Sequence, residues 1–205
     1  MKSYKVLMAL SLGVLVSACD LTNTSSRETA RDIGANFLKF EKAPTALAAV
    51  ESDFRVKSVL VYIGQDIVVS ERESFYPGGD IVWRGDPQGD RVQQVKDIFK
   101  TAFTQGSKGL NGPRNIVLQV DVRRFHSLTD KARIAVGGVH SITFALQKRD
   151  AITGEAVGKG KLIRADLKAL GGDDALAAAR LGQDQKTRIT AHLAQVIRTE
   201  LASTE

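Results

Sequence analysis

Five basic side chains lie within one short segment of the chain, VRRFHSLTDKAR at 122–133. They are Arg123, Arg124, His126, Lys131 and Arg133. Guanidinium and ammonium groups donate charge-assisted hydrogen bonds to carboxylates and phosphates. The run therefore predicts a binding edge for an anionic partner, such as a lipid headgroup, a cell-wall polymer or lipopolysaccharide. The alternative is a solvated hairpin end, in which these cations pair with Asp121 and Asp130.

Arg124 stands out in this run because of the strand that precedes it. Apolar residues occupy every second position from Ile116 to Val122, which predicts one core-facing side of a strand. Strict alternation would place Arg124 on that same apolar side. The sequence therefore predicts either a buried acid that pairs with Arg124 or a sheet face that opens to a groove at that point.

The three histidines are the candidates for acid–base or metal chemistry. None has a metal-ligand spacing, and His192 is predicted to be partly buried or at the surface, next to a core-facing leucine. His126 ends one predicted strand and His140 begins the next, so a hairpin could bring them together beside Asp121 or Asp130.

No recognised catalytic or phosphate-binding motif accompanies these histidines. No serine lies in a G-x-S-x-G turn, and no glycine-rich phosphate loop follows a strand. We therefore expect no catalytic residues, no metal and no cofactor. A small envelope hydrolase that uses the His126/His140 region remains the alternative.

The only cysteine of the chain lies in the sequence VSAC at 16–19. A cysteine thiolate is a strong nucleophile, and the small residues before it allow the backbone to enter a peptidase. The motif looks like a lipobox, in which the thiol receives a diacylglyceryl group, the chain is cut before Cys19, and the new amine is acylated. Ordinary cleavage after Ala18, which would leave a free thiol, is the alternative. We predict lipidation at Cys19.

The residues before Cys19 have the order of a secretory signal. Lys2 and Lys5 precede an uncharged, mostly apolar run, and small residues follow it. A transmembrane helix needs about 20 apolar residues, and this run is shorter. We predict a lipoprotein signal peptide over 1–18 and a location in the bacterial cell envelope, with the domain in the periplasm. Asp20 resembles the signal that retains lipoproteins in the inner membrane of enteric bacteria, and it favours that membrane.

Two further regions follow the signal peptide. Residues 19–52 predict a lipidated N-terminus and a tether, because the sequence DLTNTSSRETARD is polar and has few large apolar groups. Residues 53–205 predict a single domain, large enough to bury a core without disulfides. Cleavage removes two lysines and no acid, which lowers the formal net charge from +6 to +4. This mild excess favours an anionic membrane surface, and we expect no nucleic-acid partner.

Hydrophobic periodicity and turn residues predict the elements of the domain. The run FRVKSVLVYI at 54–63 predicts a strand that enters the middle of a covered sheet, because it becomes apolar on both faces. Asp90 is predicted to cap a helix from Arg91 to about Gln105. The other predicted elements, in chain order, are a strand at 81–84 with Trp83, strands at 115–125, 139–149 and 160–167, a short helix within 175–182, and a helix at 184–202.

This order predicts an α/β (α+β) fold with a single mixed sheet of four to five strands. Two amphipathic helices, at 91–105 and 184–202, are expected to cover one face of the sheet. The strand–helix–strand connection from 54–63 to 115–125 predicts a parallel, right-handed crossover. The sequence DAITGE at 150–155 predicts a hairpin turn.

Three stretches carry a resemblance to a known family: RFHSLTDKAR, GGVHSITFALQKRDAITGE and RITAHLAQVIRTEL. With the lipobox, they resemble a family of uncharacterised alphaproteobacterial lipoproteins, a domain of unknown function, over about 54–202. The layout is also loosely similar to YajG-type periplasmic lipoprotein domains. The resemblance implies an anchored periplasmic domain and brings no activity or active-site residue.

The sequence as a whole predicts a lipid-anchored, non-catalytic binding or assembly module. Acyl chains on Cys19 would hold it at the membrane, because two or more chains anchor a protein stably. The expected partner is an envelope protein or an anionic glycan or lipid. A hydrolase or a structural subunit of an oligomeric envelope complex are the alternatives, and the oligomeric state is left open.

Overall fold

A computed structural model of the protein describes residues 52–202. The predicted signal peptide at 1–18, the predicted lipidation site Cys19 and the predicted tether up to residue 51 lie outside the described residues. Within residues 52–202, no helix combines the length and the apolar character needed to cross a membrane.

The described residues form strands and helices in a mixed order. The strands are β1 (Phe54–Ile63), β2 (Ile81–Val82), β3 (Arg114–His126), β4 (Gly138–Asp150), β5 (Ala156–Arg164) and β6 (Leu167–Ala169). The helices are α1 (Arg91–Gly106), α2 (Asp130–Ala135), α3 (Gly172–Arg180) and α4 (Gln185–Ala202). All the predicted strands and helices are present, and α2 is an addition that the hydrophobic periodicity did not predict.

One mixed sheet carries the strand order β1-β3-β4-β5. β1 runs parallel to β3, whereas β3, β4 and β5 form the predicted antiparallel meander. The short strand β2 extends the sheet beside the end of β3, and β6 pairs with the start of β4. The predicted mixed α/β fold and the parallel β1–β3 connection are therefore confirmed. The predicted position of β1 in the middle of a covered sheet is wrong, because among residues 52–202 β1 is an edge strand whose Leu60 and Tyr62 are exposed.

Helices α1 and α4 pack together over the core face of the sheet. Asp90 caps α1 as predicted, since its Oδ1 accepts a hydrogen bond from the Gln93 N–H at 3.0 Å. Phe99 on α1 makes ring contacts with Phe125 of β3 and Phe144 of β4. The buried face of α4 belongs to the same core. Its members are Ile189, Leu193, Ile197 and Leu201.

A β-bulge in β3 corrects the prediction for Arg124. The pairing register with β4 shifts between Val122 and Arg124, so one extra residue enters the strand. On the buried side of β3, the next residue after Val122 is consequently Phe125. Arg124 therefore lies on the side away from the core, and it needs neither a buried acid nor an opened core face.

The last strand of the predicted meander, 160–167, is divided in two. Ala165 is buried, and its N–H still donates to the carbonyl of Ile142 on β4 at 2.8 Å. One position further, the Asp166 side chain accepts the Ile142 N–H at 3.0 Å. A carboxylate thus replaces the backbone acceptor in the ladder, and the chain leaves β5 before it pairs again as β6.

Candidate anion-binding pocket

A cavity of about 230 Å³ lies beside the start of α4. We call it the arginine pocket, because its polar lining includes Arg84, Arg133 and Arg188, together with His140, Asp184 and Gln185. Small residues of α3 form an apolar part of the wall: Ala175, Ala178 and Ala179. The lining therefore combines cationic and apolar side chains.

Arg188 is placed by the first turn of α4. Asp184 caps this helix, with its Oδ1 accepting the Thr187 N–H at 2.8 Å, and Arg188 follows one turn later. The Arg188 guanidinium donates from Nη2 to the Lys168 carbonyl on β6 at 3.1 Å. It forms no ion pair with any carboxylate of residues 52–202. Burial lowers the pKa of Arg188, although an arginine remains a cation at physiological pH.

The other two arginines of the pocket already have carboxylate partners. Arg84, whose side chain is largely buried, pairs with Glu73 at 3.2 Å and with Glu71 at 3.3 Å. Arg133 pairs with Asp130 at 3.1 Å. These ion pairs neutralise much of the charge of both arginines, so Arg188 is the main source of positive charge in the pocket.

His140 borders the pocket from the core side of β4. It lies on the same buried side of β4 as Ile142 and Phe144, and its relative exposure is only 1%. Neither ring nitrogen has a hydrogen-bond partner among the described residues. Burial lowers the pKa of His140 to about 4, helped by the charges of Arg188 and His192. The ring is therefore neutral near pH 7.

The sheet keeps His126 and His140 apart. Phe125 and Ile142 face each other across β3 and β4 on the core side, so the next pair, His126 and Ser141, faces the opposite side. His126 Nδ1 lies 3.3 Å from the Gly79 carbonyl and 2.9 Å from the Arg124 guanidinium. Burial, followed by the Arg124 charge, lowers the pKa of His126. The predicted meeting of the two histidines is wrong, because they occupy opposite faces of one sheet.

His192 lies on α4 beside the buried Leu193, and it is half-buried as predicted. Its Nε2 is buried without a hydrogen-bond partner among the described residues. Within residues 52–202, no group of three or more His, Cys, Asp and Glu side chains is arranged to hold a metal ion.

The basic side chains of the run at 122–133 already have partners among the described residues. Arg123 occupies the bulge and pairs with Asp121 at 2.6 Å, while Arg124 donates to the Gly79 carbonyl at 3.4 Å. The Lys131 ammonium lies 4.9 Å from the centre of the Phe75 ring, and only Arg133 reaches the arginine pocket. Both ion pairs of the solvated-hairpin alternative are present. Binding of an anion by the run stays a prediction.

The sequence did not single out Arg84, Arg188 or Gln185 as site residues. One signal was available, since Asp184, Arg188 and His192 are spaced four residues apart. That spacing places them on one side of a helix, next to the apolar face of α4. It predicts a polar line at the edge of the core, although it does not show which other segments meet there.

Residues 54–205 match DUF6778, a family of unknown function. The chain belongs to this family. The sequence predicted membership of a family without an assigned activity, and the DUF6778 match confirms this. None of the curated proteins is significantly similar to the chain.

Several solved structures have a distant likeness to the DUF6778 chain. A "putative lipoprotein" from Caulobacter crescentus CB15 is 19% identical, covers 52% of this chain and 79% of its own, and gives a TM-score of 0.34. XCC0632 from Xanthomonas campestris, of family DUF330, is 14% identical. The match covers 77% of this chain and 88% of XCC0632, with a TM-score of 0.39. The PelC dodecamer from Paraburkholderia phytofirmans is 11% identical. The match covers 80% of this chain and 96% of the PelC chain, with a TM-score of 0.33. No ligand, partner or assembly is transferred from likeness at this level.

Proposed function

We propose that this protein is a non-catalytic, lipid-anchored module of the bacterial cell envelope whose arginine pocket binds an anionic ligand. The observation that carries the binding proposal is the half-buried Arg188 guanidinium, which faces a cavity and has no carboxylate partner within residues 52–202. A buried charge is unfavourable until an opposite charge accompanies it. An anion in the pocket would supply that charge.

The anchoring proposal is supported by the sequence before the domain. The short apolar run ends in VSAC, which fits diacylglyceryl transfer to the Cys19 thiol. We propose that the protein is an alphaproteobacterial lipoprotein with its domain in the periplasm and its acyl chains in the inner membrane, as Asp20 favours. A YajG-like layout of the domain belongs to the same proposal.

The lining of the pocket supports binding rather than catalysis. Its one carboxylate, Asp184, already accepts a hydrogen bond as the helix cap. The neighbouring His140 is neutral and has no hydrogen-bond partner among the described residues. General acid–base catalysis needs a titrating group within hydrogen-bond reach of its partner, and no such pair lines the pocket.

The structural-subunit alternative remains a second candidate because of strand β1. Within residues 52–202, β1 pairs with β3 alone, so its outer edge has no neighbouring strand. Tyr62 and Leu60 on this strand are about half exposed, at 50% and 44%. An open edge with apolar side chains is a surface on which another chain can add a strand.

A thermal-shift comparison of two matched variants tests the binding proposal. Arg188→Met removes the unpaired cation. Arg198→Met is the control, because Arg198 lies on the same helix, also donates from Nη2 to a backbone carbonyl, and is not part of the pocket. The full chain in detergent would be heated with glucuronate, citrate, phosphate or sulfate. A ligand that binds only the folded state raises Tm.

We expect at least one of these anions to raise the Tm of the wild type and of Arg198→Met but not that of Arg188→Met. Equal shifts in all three proteins would place the anion elsewhere and contradict the proposal.

A further inference from the structure

The arginine pocket has the charge of a site for a single negative charge. Arg84 is paired with Glu71 and Glu73, and Arg133 is paired with Asp130, so one guanidinium remains for a ligand. A planar guanidinium matches the two oxygens of a carboxylate in a bidentate pair. A phosphate dianion would instead need a second cation without a partner.

The polar lining of the pocket also has hydrogen-bonding needs that a carboxylate does not meet. The Gln185 Oε1 and both ring nitrogens of His140 are buried without partners among the described residues. A neutral imidazole has one donor and one acceptor nitrogen, and the Gln185 oxygen is an acceptor. A carboxylate only accepts hydrogen bonds, whereas a hydroxyl both donates and accepts. The lining therefore favours a ligand that carries hydroxyl groups beside its anionic group.

One part of the pocket wall is apolar and made of small side chains. Ala178 and Ala179 follow Ala175 by three and four residues, so all three present methyl groups on the same side of α3. Small apolar groups leave room for a ring to lie against the helix, and sites for small molecules combine such a surface with a few placed polar groups.

We infer that the arginine pocket binds a carboxylated sugar unit, with the carboxylate on Arg188, the hydroxyls toward Gln185 and His140, and one face of the ring against the α3 alanines. The inference rests on the proposed function, because it names the class of anion that the pocket accepts. Each of the three ligand features matches one group of lining residues. A sugar phosphate, a neutral sugar or a simple carboxylate lacks at least one of them.

Titration of the full chain in detergent with four probes tests this inference. The probes are D-glucuronate, D-glucose, acetate and D-glucose 6-phosphate, and the measured quantity is Kd. We expect glucuronate to bind at least about tenfold more tightly than each of the others, because glucose lacks the anionic group, acetate lacks the hydroxyls and the ring, and glucose 6-phosphate carries a dianion where one guanidinium is unpaired. Arg188→Met should remove this preference and Arg198→Met should keep it.

A second pair of variants separates recognition of the ring from recognition of the charge. Ala179→Leu fills the exposed end of the apolar wall, whereas Ala177→Leu adds the same side chain at an exposed position of α3 outside the pocket. Leucine and alanine both favour helices, so neither change is expected to unfold α3. Ala179→Leu should weaken glucuronate binding about tenfold or more and leave acetate unaffected, and Ala177→Leu should change neither.

The possible failures of the inference and of the proposed function are distinguishable. Tighter binding of glucose 6-phosphate, or equal binding of acetate and glucuronate, with both lost in Arg188→Met, would overturn the sugar-acid assignment and leave anion binding intact. Unchanged glucuronate binding in Ala179→Leu would overturn the placement of the ring. If no anion, including those of the thermal-shift panel, binds the wild type, the proposed function falls with the inference.

Discussion

His140 is a buried titratable side chain without a hydrogen-bond partner among the described residues, and this makes the stability of the free domain depend on pH. The pKa of His140 is lowered from 6.5 to about 4, so the unfolded chain takes up a proton at a higher pH than the folded chain. The group therefore favours folding above pH 6.5, and that contribution is lost as the pH falls from 6.5 toward 4. The loss reaches about 3 kcal/mol.

Urea unfolding of the wild type and of His140→Leu at pH 7, 5.5 and 4.5 measures this effect. We expect the free energy of unfolding of the variant to fall less steeply over this range, whatever its value at pH 7. Parallel pH profiles for the two proteins would show that His140 does not carry the dependence.

At the scale of elements, the contact between α1 and α4 depends on a residue without a side chain. A Cβ built on Gly106 would lie 2.2 Å from Ile197 Cγ2 and 2.3 Å from the Ala194 carbonyl oxygen. One of these two atoms belongs to the backbone of α4, so the helices would have to separate to relieve the clash. Gly106→Ala should destabilise the domain by about 1–3 kcal/mol, as overpacking of a core does.

Gly78→Ala is the matched control, because a Cβ at that position meets no atom within 4 Å. Chemical denaturation of the two variants and the wild type gives the comparison. A Gly106→Ala protein as stable as Gly78→Ala would contradict the close approach of α1 and α4.

The elements were predictable wherever one local rule decides the structure. β1 matches its predicted bounds, and the 150–155 turn forms as predicted, with Gly154 at φ +73° and Asp150 Oδ1 accepting from Ile152 and Thr153. The bulge in β3 left a signal as well, since the next buried residue after Val122 is Phe125, a spacing of three instead of two. The sequence also carried a signal for helix α2, because Thr129 is a capping residue whose hydroxyl accepts the Ala132 N–H.

The arginine pocket could not be predicted in the same way. Its cationic residues Arg84, Arg133 and Arg188 come from three segments far apart in the chain. Which of them keeps a free charge depends on contacts with Glu71, Glu73 and Asp130. Contacts of this kind follow from the tertiary fold, and local periodicity contains no information about them.

For the molecule as a whole, the proposed membrane anchor is on Cys19, which lies outside the described residues. Cells that express the wild type or Cys19→Ser would be labelled with an alkyne fatty acid and then fractionated. We expect the wild type to carry the label and to sediment with membranes, because two or more acyl chains anchor a protein stably. Cys19→Ser should lose the label. A labelled Cys19→Ser protein, or an unlabelled wild type, would contradict lipidation at this residue.

We propose that an anion binds in the arginine pocket rather than on the basic run at 122–133. Backbone NMR of the ¹⁵N-labelled full chain, titrated with glucuronate and separately with sulfate, tests it residue by residue. We expect saturable shift changes at His140, at Ala178 and Ala179, and at Arg188, and we expect Arg188→Met to lose them. Changes confined to Arg123 and Arg124, or no saturable change with either anion, would contradict it.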